Sequence, residues 1–352
     1  MAILTIQSPR LDHAVLEKVS DPSITVLHLD HVQFSMDTIK LLALAMQNPM
    51  ITEWRFDGCQ FDSDGVICPT HYLPALAKLI ATHSHLLSLE FKNSDSVDME
   101  PLQQGLLANQ TIQQVTLDWN QPRTPGIAET ITAVLQIPSL LSFTLSNYEL
   151  LPEQSKPFAD ALRHAKQLRA ISLPHFSLVT SDTHVMSDQE NIKNETRISM
   201  ETLMEGLKAC TSLRQVALQN MSLTIDPEKY IPIETYPAYS LALHLQMYFS
   251  VKCLLDGLQQ MKLTDLALSI DFHKNFINQD HKLLRDYAEA EKQLQAKADQ
   301  YRKELRKVSF LMGAKQKESS VHRFFNHYLF DQNVMTLVFC DAELRDRKRF
   351  VR

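Results

Sequence analysis

Leu140-Leu141-Ser142-Phe143-Thr144-Leu145, Leu168-Arg169-Ala170-Ile171-Ser172-Leu173 and Leu213-Arg214-Gln215-Val216-Ala217-Leu218 are three copies of one pattern, apolar at positions 1, 4 and 6. Alternation between positions 4 and 6 is the period-two signature of a strand with one buried face. The same template, usually with a further apolar residue at position 11, also begins at Met1, Ile24, Ile51, Leu86, Ile112, Leu263 and Val334. Successive starts are 23, 27, 35, 26, 28, 28, 45, 50 and 71 residues apart, so five of the nine intervals lie between 23 and 28. That is the length a strand, a turn and a three-turn helix require.

The stretches after the strands read as helices. Thr38 to Asn48 carries Ile39, Leu42 and Met46 on one stripe, Tyr72 to Thr82 carries Leu73, Leu76 and Ile80, and Glu201 to Cys210 carries Leu203, Met204 and Leu207. Serial strand–helix units predict an α/β solenoid whose parallel strands lie side by side. Because helices are wider than strands, the strands line a concave face and the helices a convex one. Ten strands about 4.8 Å apart make an arc of roughly 45 Å. Burying positions 1, 4 and 6 stabilises by about 1.5–3 kcal/mol per side chain before chain entropy is subtracted. A single unit cannot cover its own apolar face, so stability comes from neighbours.

These strands, the period of about 28 residues, and the pre-strand tetrapeptides Asn109-Gln110-Thr111-Ile112 and Cys210-Thr211-Ser212-Leu213 resemble ribonuclease-inhibitor-type leucine-rich repeats. The resemblance covers about residues 1 to 275 and returns at Val334 to Leu344. It implies a leucine-rich-repeat horseshoe. The family usually places Asn or Cys at position 9, and here only Cys59 and Asn120 conform. Ser94 is a fair substitute, Val32, Tyr148, Phe176 and Met221 are not, and Asn93, Asn147 and Asn220 sit one position early. Irregular turns and imperfect curvature are therefore expected.

The domain reading is an N-terminal capping repeat at 1–23, repeats over 24–277 with inserts near 179–197 and 224–237, and a C-terminal helical extension at 278–352 with a final capping strand near 334–339. The first insert is polar, lacks apolar periodicity and reads as a mobile surface segment. The second carries Pro227, Pro232 and Pro237 and leads into an apolar helix, Ala238 to Met261. From Asp280 to Val308, apolar residues including Leu283, Tyr287, Leu294, Ala298 and Leu305 recur at helical spacing among charged ones. That seam reads either as a cap on the last repeats or as an arm for a partner helix.

Composition excludes several classes. The chain has 352 residues, 44% hydrophobic and 22% charged, with a net charge of −6, which argues against a general nucleic-acid binder. Five cysteines without a CxxC, and a start lacking the features of a signal peptide, point to a reducing compartment. Its most apolar stretch, Tyr239 to Leu258, contains His244, Lys252 and Asp256 and reads as a buried helix, so no membrane span is expected. The closest two of the seven glycines are seven apart, so neither GxGxxG nor GxxxxGK exists.

No catalytic, metal or cofactor constellation emerges. Asp62-Ser63-Asp64-Gly65 opens like a calcium loop, but Leu73 stands where a bidentate Glu belongs, leaving a solvated turn. Cys340-Asp341 pairs a thiol with a carboxylate that opposes its ionisation. His322 and His327 are five apart, about 140° around a helix, which is wrong for a shared metal. The basic end, Arg345 to Arg352, reads as a solvated tail.

Function is expected on the concave face, from the outward positions 3, 5, 7 and 8. There the charged and aromatic residues lie in the N-terminal half: His28, Asp30, Glu53, Arg55, Asp57, Glu90, Lys92, Asp118 and Trp119. Trp anchors ringed by charge suit protein recognition. The alternative is a plain solvated sheet face. The divergent repeats, glycine poverty and lack of a signal peptide resemble the leucine-rich-repeat effectors that intracellular bacteria such as Legionella deliver into host cells through a type IV system, and Phe350 and Val351 are similar to the hydrophobic element of such signals. The resemblance implies a non-enzymatic module that binds a host protein, needs no cofactor and acts in host cytoplasm after leaderless secretion. The other implied role is a regulator of an enzyme, as inhibitor or small-GTPase activator.

Overall fold

The computed structural model describes residues 2–7, 13–61, 72–94, 100–119, 127–180, 189–225, 250, 252–271, 289, 292–300 and 303. A strand begins within two residues of each of nine template starts. The strands are β1 (Ala2–Ile6), β2 (Ile24–Asp30), β3 (Glu53–Asp57), β4 (Ser88–Ser94), β5 (Gln114–Trp119), β6 (Ser142–Ser146), β7 (Glu149–Leu150), β8 (Ala170–Ser172), β9 (Ser177–Thr180), β10 (Gln215–Ile225) and β11 (Asp265–Asp271). Between them lie α1 (His13–Val19), α2 (Met36–Ala45), α3 (Tyr72–Thr82), α4 (Glu100–Ala108), α5 (Ile127–Leu135), α6 (Pro152–His164) and α7 (Gln189–Ala209). Helical runs follow at 252–260 and 292–300. The template start at Val334 lies outside the described residues.

The architecture is α/β. Nine strands, β1-β2-β3-β4-β5-β6-β8-β10-β11, pair parallel in chain order in an open sheet that does not close into a barrel. Like positions face like positions: Leu27 pairs with Trp54, Trp54 with Leu89, Leu89 with Val115, and Val115 with Phe143. One bond recurs between modules. The position-2 amide donates to the position-2 carbonyl of the module before it, from Thr52 to Thr25, Leu87 to Thr52, Gln113 to Leu87, Leu141 to Gln113, Arg169 to Leu141, Arg214 to Arg169 and Thr264 to Arg214, at 2.7–3.0 Å.

Positions 4 and 6 of each strand share one core with the apolar stripes of the helices. Trp54, Phe56 and Phe91 are fully buried there, and the Phe56 and Phe91 rings stack at 4.8 Å. Helices pack neighbour on neighbour from α1 to α7. Glycine sets some of that spacing: a Cβ at Gly105 of α4 would lie 2.3 Å from the Ala77 carbonyl oxygen of α3, and one at Gly206 of α7 would lie 2.7 Å from Ala159 Cα of α6. Ser35 caps α2, its Oγ accepting from the Thr38 amide.

The turns are more regular than the departures at position 9 predict. His31, Gly58, Asn93, Asn147, His175 and Asn220 all occupy position 8 of their modules, and all have φ between 47° and 59°. Asn and Gly tolerate this left-handed conformation best, so the asparagines that sit one place early are where the backbone needs them. The turn sends position 9 back into the core, where Val32, Cys59, Tyr148, Phe176 and Met221 are at most 2% exposed. In these five modules position 9 is a core position, which an apolar side chain or a buried thiol fills. Beyond the turn a second short parallel ladder forms at position 10, with Gln33 bridging to Gln60 and β7-β9-β10 pairing through Glu149, Ser177 and Ser222.

The pre-strand tetrapeptides are cross-links. Asn109 is buried and its Nδ2 donates to the carbonyls of Ile80 and His83 in the previous module, while its Oδ1 accepts from the amides of Thr111 and Ile112. Asn48 spans to Val19 and Asp21 in the same way, and the Cys210 thiol lies against the Ala165 and Leu168 carbonyls. The hydroxyls one residue before the template start, on Thr111, Ser139 and Ser212, donate to the position-1 carbonyls of Leu86, Ile112 and Leu168.

Of the insert expected at 179–197, the described residues are regular structure. It opens in β9 and its second half belongs to α7, a 21-residue helix whose polar leading turns run ahead of the apolar stripe at Leu203 and Leu207. A polar helix end has no apolar periodicity to detect. Of the proposed 280–308 helix, Leu294 and Ala298 are buried, and Lys297 Nζ donates to the Gln259 carbonyl in the helical run 252–260.

Candidate protein-binding face

The alternation that buries positions 4 and 6 places positions 3, 5 and 7 on the opposite side of the sheet. Parallel in-register pairing then turns these positions into rows that cross the strands. The position-5 row reads His28, Arg55, Glu90, Thr116, Thr144, Ser172 and Ala217, all half-buried. In the position-7 row, Asp30 pairs with Asp57, Asp57 with Lys92, and Lys92 with Asp118. Glu53 stands at position 3, beside Val26 and Ser88.

Eight of the nine residues expected to bind a partner are thus gathered on four adjacent strands, β2 to β5. For Trp119 the backbone is described, as the last residue of β5 opposite Ser94. Its side chain lies outside the described residues, as do the Asp62 to Gly65 turn, His322, His327, Cys340, Asp341 and the basic end.

The charges form a lattice. Arg55 Nε contacts Glu53 Oε1 at 2.6 Å and Glu90 Oε2 at 3.3 Å, and Lys92 Nζ contacts Glu90 Oε1 at 2.5 Å. These side chains are 15–42% exposed, so they are partly screened yet reachable. The hydrogen bond from Arg55 to Glu53 raises the guanidinium pKa further, keeping this charge permanent.

The position-7 aspartates are held differently. Gln7 Nε2 donates to Asp30 Oδ2 at 2.8 Å, Asn93 Nδ2 to Asp57 Oδ1 at 2.9 Å and Asn147 Nδ2 to Asp118 Oδ1 at 2.6 Å. A neutral amide orients a carboxylate without cancelling its charge. The Gln7 bond, and after it the bond to His31 Nδ1 at 2.6 Å, hold the Asp30 carboxyl below the usual range, and the same Asp30 contact raises the His31 imidazole. Gln7 and Asn147 were not legible as part of this face, because each acts on a carboxylate in a neighbouring module. The position 8 that Asn147 shares with Asn93, beside the position-7 row, is the signal that could have found Asn147.

Behind the sheet, burial pushes the Cys59 thiol up to about 11, and its Sγ lies 3.4 Å from the Leu29 carbonyl oxygen. Among the described residues, no group of three or more His, Cys, Asp or Glu side chains could hold a metal ion. No helix among them is long and apolar enough to cross a membrane. On the helix side, α7 and the run 252–260 border an open groove of about 410 Å³ lined by Glu201, Met204, Lys208, Lys252 and Asp256.

No family model and no curated protein matches the chain. Among solved structures it is similar to the leiomodin-1 actin-binding site 2, at 11% identity over 72% of this chain and 96% of that one, with a TM-score of 0.22. It is also similar to a GH10 endoxylanase retrieved from a sugarcane soil metagenome, at 9% identity over 79% and 88% of the two chains, with a TM-score of 0.24. At TM-scores this low neither likeness carries an argument about this chain.

Proposed function

We propose that the chain is a ribonuclease-inhibitor-type leucine-rich-repeat horseshoe that works without catalysis, binding a protein partner on the open strand face of β2 to β5. The supporting observation is the contrast along that face. Ion-paired and amide-braced charges fill β2 to β5, whereas Thr144, Ser172 and Ala217 continue the same row on β6, β8 and β10. Charges fixed in place before binding lower the ordering cost of association and select partners by sign. The recurring position-2 bonds and left-handed turns support the horseshoe reading. The likeness to secreted effector repeats is what points to a host protein as partner, and to delivery into host cytoplasm.

The test is site-specific photo-crosslinking. Crosslinkers at His28 and Thr116 face the partner in this reading, and crosslinkers at Lys40 and Lys78 on the helices do not. Adducts from the strand positions, with Trp119→Ala weakening binding by about 2 kcal/mol at unchanged melting temperature, are expected. Adducts from the helix positions alone overturn the proposal.

A further inference from the structure

The position-7 row has an order of signs as well as a net charge. Asp30, Asp57, Lys92 and Asp118 occupy one register position on four consecutive strands. Read across the sheet, the row is acidic, acidic, basic, acidic. Each member is aimed by a contact of its own: Asp30 by Gln7 and His31, Asp57 by Asn93, Lys92 by Glu90, and Asp118 by Asn147. Asp30 is 22% and Lys92 42% exposed, and Asp57 and Asp118 are half-buried, so the row is open to a partner.

Spacing decides what kind of segment can match it. Strands about 4.8 Å apart put three steps of the row across about 14 Å. An extended segment shows a side chain on one side every two residues, about 6.8 Å, so four of them span about 20 Å and run out of register. On a helix, residues i, i+4, i+7 and i+11 share a face and span about 16.5 Å. Flexible Lys or Arg side chains absorb the remaining 2 Å or so.

Building on the open-face reading, we propose that the partner contributes an α-helix laid across the ends of β2 to β5, presenting basic, basic, acidic and basic side chains on successive turns. The acidic turn meets Lys92, and the three basic turns meet Asp30, Asp57 and Asp118. The row selects its partner by sign order, since a helix with the same charges in another order sets like against like at Lys92 and at one aspartate.

The probe is a pair of 18-residue alanine-rich helical peptides of identical composition, one with Lys, Lys, Glu, Lys at i, i+4, i+7 and i+11, the other with Glu, Lys, Lys, Lys. The order Lys, Glu, Lys, Lys is unsuitable as a control, because a helix docked in the opposite direction reads it as the match. Fluorescence anisotropy on the full chain at 150 mM salt is expected to show the matched peptide binding about tenfold more tightly. Asp57→Asn and Asp118→Asn, which keep an oxygen to accept from Asn93 and Asn147, are each expected to reduce that affinity about fivefold. Lys92→Glu is expected to shift preference to a peptide with Lys on all four turns. Equal binding of the two peptides, or binding of neither, overturns the proposal. Crosslinks from His28 and Thr116 to a native partner would, in that case, leave the docking face standing without this register.

Discussion

The imidazole of His31 lies over the α-carbon of Gly58: a Cβ built there would stand 2.7 Å from both Cδ2 and Nε2. Both residues occupy position 8 of adjacent modules, and Gly58 has a φ of 59°. Gly58→Ala therefore meets two obstacles, left-handed backbone and the ring. A loss of about 2 kcal/mol in urea denaturation is expected. Adding His31→Ala is expected to restore part of it, because only the contact with the ring is relieved. Strict additivity of the two substitutions would contradict the contact.

Asn109 joins two modules through four hydrogen bonds from a site 1% exposed. Asn109→Ala removes bonds to two carbonyls and two amides in the interior, and about 3 kcal/mol of stability is expected to go. Thr111→Val removes the hydroxyl's contacts with the Leu86 and His83 carbonyls and with Asn109 Oδ1 and is expected to lose about 1 kcal/mol. Chemical denaturation of the two variants side by side checks the ranking.

His83 is 2% exposed and sits 5.0 Å from the Trp54 ring, with burial lowering its imidazole to about 4. Its Nδ1 accepts from the His85 amide at 3.3 Å, a bond that only the neutral ring can make. In the unfolded chain the ring takes up a proton near pH 6.5, so between there and about pH 4 the unfolded state binds more protons. Stability is fully present above the unfolded value and falls as pH drops through that window, by roughly 2–3 kcal/mol from this residue. The gap between wild type and His83→Gln, measured by denaturation at pH 7.5 and pH 4, is expected to shrink by that amount. A gap independent of pH would show that His83 is not buried in its neutral form.

Gly105 lets α4 press against α3, with the Ala77 carbonyl oxygen 2.3 Å from where its Cβ would be. Ala is the better helix former by about 1 kcal/mol, so propensity alone predicts stabilisation by Gly105→Ala. The opposing term is backbone against a new methyl group, which cannot move aside as a side-chain tip does. A net loss of at least 1–2 kcal/mol is expected, read as a lower melting temperature. A raised melting temperature would mean that the helices have room to separate.

Much of the fold was legible because a strand's side-chain period is imposed by backbone geometry. Leu140, Phe143 and Leu145 had to point the same way wherever they were placed, and their recurrence at Leu168 and Leu213 announced a stack. The turns are less legible for an equally physical reason. Polarity at position 9 is a poor guide, because the decisive residue is the left-handed one before it, and only the backbone angles reveal that His31 and His175 do there what Asn93 and Asn147 do. The open face was half legible. Residues at positions 3, 5 and 7 had to point away from the core, which brought Arg55, Glu90 and Asp57 to one side. That Arg55 reaches Glu90, while Asp57 and Asp118 are braced by Asn93 and Asn147, depends on pairs 29 to 36 residues apart.

The amino-acid order by itself determined where the repeated strands begin, which of their faces is apolar and that helices alternate with them, because alternation and helical spacing are local consequences of backbone geometry. The tertiary structure alone decided which charges meet, since contacts between modules depend on strand register and turn conformation, and no short window of residues contains either.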